Sequence, residues 1–203
     1  MTRLTPICLI AGLTLAACNQ AAERRAENAA GSAAATAEVV GDRIENAADN
    51  TASAMRPTPS AQEFVNQAAK SDAFEIAAAK LAETQGVSTE VKLFAAQMIE
   101  AHTDSTAKIK EAAGKAEPAI QPDPALTPDQ NEDLAELRKL TGAKFDEEYV
   151  DGQVDAHEDA LALMRSYASG GTDAALRAVA AEIAPVVEGH LKMARELETK
   201  TDR

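Results

Sequence analysis

Apolar residues recur every three or four positions in four long stretches of the chain, and turn chemistry separates the stretches. At about 100° per residue this spacing lays each set along one face of a helix. The first stretch opens at Ser60, where Glu63 three residues on completes a capping box. Its stripe is Phe64, Ala68, Ser71, Glu75, Ala78 and Ala82, and Gly86 ends it. Ser88 caps the second, whose stripe runs from Val91 and Phe94 through Met98, His102 and Ser105 to Ile109 and Ala112. A third, roughly Ala143 to Ser169, carries Phe145, Tyr149, Gln153, His157, Leu161, Met164 and Tyr167. The fourth starts at a Thr172 cap and carries Leu176, Val179, Ile183, Val187, His190, Ala194 and Leu197. Pro185 lies inside it, so a kink is expected one turn before His190.

The connections set the architecture. Only two or three residues around Gly86 join the first two helices, which makes them antiparallel neighbours. The link after Gly114 carries Pro118, Pro122, Pro124 and Pro128, a density that forbids helix and favours extended chain. Thr127, Pro128 and Gln130 then read as cap, first helical position and capping-box partner of a short helix with Leu134, Leu137 and Leu140 on its inner side. Helices of about 26 residues are each about 39 Å long. The expected fold is all-α: a four-helix bundle over residues 60–200 with a ferritin-like connection, a long Pro-rich crossover and one extra short helix.

Four polar side chains interrupt the apolar stripes, one in each long helix: Glu75, His102, His157 and His190. The last three are the only histidines in the protein. Counting residues from the turns puts Glu75 and His102 within about 6 Å of one level, and the same count brings His157 and His190 together across the second turn. One reading is a buried hydrogen-bond network that fixes helix register. The alternatives are a mononuclear or atypical site for a transition-metal ion (iron, manganese or zinc), with Gln153, Tyr149 and Met98 as weaker neighbours, or a pocket for another ligand. Di-iron bundles place Glu-x-x-His on two helices. Here Ile99 and Val187 stand three residues before His102 and His190, which argues against a di-iron oxidase.

Charge and cysteine usage narrow the setting. A net charge of −13 disfavours nucleic acid and anionic membrane surfaces as partners. Alanine abundance, with aromatics at 3%, favours helix over sheet. Arg3 precedes an apolar run from Leu4 to Leu15 that is too short to span a bilayer, and the run closes in Leu15-Ala16-Ala17-Cys18. This resembles a bacterial lipoprotein signal, which implies cleavage after residue 17, loss of Cys8 and acylation of Cys18. Asn19 rather than Asp after the cysteine favours the outer membrane over the inner, by resemblance to enterobacterial sorting. Residues 18–59 hold almost no large apolar side chains and read as a low-complexity tether ending at Pro57 and Pro59. Within it Glu27-Asn28-Ala29-Ala30 recurs as Glu45-Asn46-Ala47-Ala48.

The stretch from Ser60 to about Glu198 resembles the bacterial "domain of unknown function 4142" family. The pieces that carry the likeness are Phe64-Val65 with Glu75, Val91 to Ala95 followed by His102, Phe145-Asp146 with Tyr149, Ala156-His157-Glu158, and Pro185 with Glu188-Gly189-His190-Leu191. The resemblance implies a ferritin-like envelope protein, often secreted or lipid-anchored, and implies no activity. The chain shows no nucleophile beside a base, no Gly-rich phosphate loop and no basic patch, so nothing in it specifies an enzyme. The sequence therefore leads to a lipid-anchored helical bundle facing the periplasm, acting as a binding or structural module. The alternative is a metal-binding redox or storage protein built on the Glu/His cluster.

Overall fold

A computed structural model describes residues 57–201, all helix and connecting loop. Cys8, Cys18 and the tether up to residue 56 lie outside the described residues. The helices are α1 (Ala61–Gln85), α2 (Thr89–Gly114), α3 (Pro128–Leu137), α4 (Ala143–Gly170) and α5 (Ala174–Thr201). No helix among the described residues is long and apolar enough to cross a membrane.

Local side-chain chemistry starts most of these helices where the sequence places the starts. Ser60 and Glu63 form the reciprocal capping box of α1, and Thr127 and Gln130 that of α3 with Pro128 in its first turn. Ser88 accepts from the backbone N–H groups of Glu90 and Val91. The start of α5 differs from expectation by one residue. Asp173, not Thr172, is the cap: its Oδ1 accepts from Leu176 N at 2.9 Å and its carbonyl from Arg177 N at 3.0 Å. A carboxylate is the stronger of two adjacent caps, and the Thr172 carbonyl instead accepts from the Arg177 guanidinium. α5 continues through Pro185, which lies exposed.

Hydrogen bonds along the crossover establish the chain directions. Gln62 near the start of α1 donates to Gln121 O, and Lys70 two turns on pairs with Asp123 at 2.9 Å. Gln85, the last residue of α1, donates to the carbonyls of Arg138 and Leu140. The crossover thus runs beside α1 over its whole length, in the same direction. It delivers α4 to the end where α1 turns into α2, so α2 and α4 are parallel. At that end the buried Asp146 of α4 accepts from Val87 N at 3.1 Å and Ser88 N at 2.7 Å. Gly86 is suited to the same turn by lack of space: a Cβ there would stand 2.6 Å from Ala82 O and 3.0 Å from Asp146 Oδ1.

The core between the hairpins is tight on the α1 side because α1 buries alanines 68, 69, 78, 79 and 82. Aromatic rings fill the two ends. Phe64 stacks on Tyr167 with centroids 4.0 Å apart, and Phe145 stacks on Tyr149 at 6.1 Å. The middle is left to polar side chains.

Candidate metal centre

His102, His157 and His190 lie near the midpoints of α2, α4 and α5 and meet there. Their ring centroids are 5.5 to 6.1 Å apart, and one ring nitrogen from each lies within 4.8 Å of the other two. Two of the rings are fixed by a bond on the far nitrogen. His102 Nδ1 donates to Asp72 Oδ1 at 2.8 Å, and Asp72 Oδ2 in turn accepts from Thr106 Oγ1 at 3.0 Å. His157 Nδ1 donates to the Gln153 carbonyl at 2.8 Å. Those bonds turn Nε2 of both rings inward. His102 Nε2, His157 Nε2 and His190 Nδ1 are all buried and have no protein partner.

Glu75 stands apart from this trio. Its Oε2 accepts from Gln153 Nε2, its Oε1 has no protein partner, and the carboxyl is 1% exposed. The acid that reaches a histidine is Asp72, three residues earlier on α1, which sequence reasoning missed. The cause is a rotation of the buried face: Asp72 is inside, whereas Ser71 is only partly buried. The available signal was an acid on an Ala-rich turn about 60° around the helix from Glu75. The expected neighbours divide. Gln153 links the histidine and acid networks, Tyr149 is buried with an unpartnered hydroxyl, and Met98 is wholly buried one turn before His102.

Electrostatics separates the roles. Burial drives the His157 pKa down to about 3 and that of His190 to about 4, with His102 adding repulsion, so both rings are neutral donors at pH 7. Burial also opposes charge on His102, but the Asp72 hydrogen bond and the charges of Glu75 and Asp72 outweigh it and raise its pKa. Glu75 is raised to about 7, by burial first, against the favourable charge of His102 and the Gln153 bond. Burial, then the charges of Glu75 and Glu83, pushes Tyr149 well above the usual phenol range.

Two expected results follow for the individual side chains. In the metal-free protein Glu75 holds its proton up to about pH 7, whereas the unfolded chain loses it near 4.5, so Glu75 costs stability progressively as pH rises through that window. Glu75→Gln keeps the bond to Gln153 without the charge. It should stabilise the protein at pH 8 by about 1–3 kcal/mol and by nearly nothing at pH 4.5, measured by urea unfolding at both values. Equal stability of the two proteins at pH 8 would refute the buried carboxylate. Asp72→Asn removes the anionic acceptor that orients His102, and if the three rings hold an ion it should weaken that ion's binding about 10–100-fold. Competition titration against a chromophoric chelator checks this, and an unchanged affinity would mean that Asp72 does not support the site.

A cavity of about 30 Å³ lies beside His102 and His190, with Ser105, Met164 and Val187 in its wall. That is room for a water or an ion.

The family model for the domain of unknown function DUF4142 matches residues 46–197. Among solved structures, the chain is similar to CopM in the Cu(I)-bound form, at 14% identity and a TM-score of 0.59, covering 70% of this chain and 97% of that one. It is also similar to a DUF305 fragment from Deinococcus radiodurans, at 13% identity and a TM-score of 0.61, with 70% and 97% covered. At such identities the likeness is one of fold. No curated protein matches the chain.

Proposed function

The chain belongs to the DUF4142 family, and from that premise we propose that its bundle binds one zinc or copper ion through His102, His157 and His190. The observation that carries the reading is the set of three inward ring nitrogens without protein partners, two of them on rings anchored from behind. A network kept only for helix register would be expected to satisfy its own donors and acceptors. This one leaves three ring nitrogens buried and unpartnered, on rings that each bring a nitrogen within 4.8 Å of the other two. Three donors about 2.0–2.1 Å from one ion stand about 3.3–3.6 Å apart, so rotations that move each nitrogen by about 1 Å close the set. A carboxylate–histidine pair and a carbonyl–histidine pair are the usual supports of such ligands.

The ligand type selects the metal. Imidazole suits zinc, copper and iron, whereas manganese prefers oxygen. With Glu75 turned to Gln153 and Asp72 behind His102, no carboxylate stands among the three nitrogens, which weakens the case for manganese. The likeness in fold to a protein solved with Cu(I) bound supports copper as a candidate. Asp72 offsets the charge of a monovalent ion, and Glu75 is placed to offset a second charge. Three ligands leave one position open to water or an exchanging donor, which suits a site that holds an ion and passes it on.

The test is retention of metal by the full chain. It is incubated separately with Zn(II), Cu(I), Fe(II) and Mn(II), desalted and analysed for metal content. One zinc or copper per chain is expected, lost in His102→Ala, His157→Ala and His190→Ala. No retained metal, or retention unchanged in the triple variant, would overturn the reading.

The setting we propose for this site is the cell envelope, with the chain tethered to the outer membrane by lipid on Cys18. Support comes from the order of charge, apolar run, small residues and cysteine at the start of the chain. Cys18→Ser should move the protein from the membrane to the soluble fraction, and unchanged fractionation would remove the anchor.

A further inference from the structure

A groove of about 790 Å³ lies between α1, α3 and α4. Phe74, Ala78 and Gln153 contribute to its floor. Its rim is acidic, with Asp133 and Glu136 on α3 and Glu148 and Asp155 on α4, all exposed. The one basic side chain in its lining, Lys70, is tied to Asp123 at 2.9 Å and to the Ala125 carbonyl at 2.5 Å. A cleft lined by one sign of charge over low-dielectric walls focuses its field and concentrates counter-ions.

The groove adjoins the histidines. The small cavity beside His102 and His190 shares Ser71, Ala160 and Leu163 with it as common walls. Two of those three are small, so the partition is thin, and the third is a half-buried leucine. On the inner side waits His102, 5% exposed, with Nε2 unpartnered. On the outer side Gln153 lines the groove while its carbonyl holds His157. An exposed acidic mouth, a thin wall and a buried donor thus follow one another across the bundle.

Resting on the metal reading above, we propose that this acid-rimmed groove is the vestibule through which the cation reaches the histidines, with Leu163 and Ala160 as its inner gate. The carboxylates attract the hydrated ion and hold it loosely. Movement of Leu163 then admits it, and the imidazoles replace its water.

The experiment is stopped-flow binding of Zn(II) alone to the metal-free full chain. Neutralising three rim acids together (Asp133→Asn, Glu148→Gln, Asp155→Asn) should slow association about tenfold at low ionic strength. The difference from the parent should shrink in high salt, with the release rate little changed. Removing the same charge outside both cavities (Glu100→Gln, Asp104→Asn, Glu196→Gln) should leave association near the parent rate. Ala160→Leu narrows the gate and should slow entry and release by the same factor, leaving the dissociation constant unchanged, a signature that a merely structural role would not give. If the rim and control triples associate alike, or if Ala160→Leu alters affinity without altering both rates, the vestibule is overturned while the histidine site stands. If the parent chain binds neither zinc nor, in the same assay, Cu(I), both readings fall.

Discussion

Zinc at about a thousandfold excess over its dissociation constant is expected to stabilise the protein by about 4 kcal/mol. For a folded region of this size, that moves the unfolding midpoint by about 8–16 °C. The three ligands come from α2, α4 and α5, so no short segment of the unfolded chain presents them together, and the ion binds the folded state almost exclusively. Calorimetry of the chain with zinc and with chelator measures the increment. In His157→Ala the metal-dependent increment should disappear, whatever the substitution does to the metal-free protein. Acid should erode it through His102 first. That ring is the one whose pKa is raised, so protons compete for it before they compete for His157, at about 3, or His190, at about 4. A midpoint that responds neither to zinc nor to Cu(I) would end the proposal.

Asp146→Ala should cost about 3–4 kcal/mol and lower the midpoint by about 6–16 °C. The carboxylate is 3% exposed, lies in the first turn of α4, and accepts from two backbone N–H groups of the turn between α1 and α2. Removing it strands those donors beside the protein interior, where an unmade bond to a charged acceptor costs more than an average one. The helix dipole of α4 loses a favourable anion as well. Asp146→Asn keeps an acceptor oxygen and should recover about half of the loss. Chemical unfolding of both variants is the check, and a cost below about 1 kcal/mol for the alanine variant would show that water satisfies the turn equally well.

The sequence was most legible where the chemistry is local. Ser60, Ser88 and Thr127 cap their helices because a cap needs only residues two or three positions away. The ferritin-like order followed from link lengths and proline density. The three histidines were found because each is a polar residue on an apolar period, and their levels followed from helical rise. What escaped depends on how closely different helices approach. Asp72 reaches His102 because the alanines of α1 bring the two backbones together, and its position one residue beside the expected stripe could not be weighed without that distance. Glu75 was grouped with the histidines by its place on the stripe, its level and the lean of helical side chains, and only the facing Gln153 shows where it turns. Asp146 matched the family pattern, but its task concerns a turn 58 residues away. Thr172 and Asp173 are both good caps side by side, and the structure shows the carboxylate taking the role.

The crossover that runs beside α1 has a consequence for the order of events in folding. Each hairpin closes over a short link, so each can form early and independently. His102 belongs to one hairpin, and His157 and His190 to the other. The three imidazoles therefore come together only once the two halves have docked. A bond made after the barrier leaves the speed of folding nearly untouched and acts on the way out, by lengthening the life of the finished molecule. In this protein a captured ion would work less as a nucleus than as a latch.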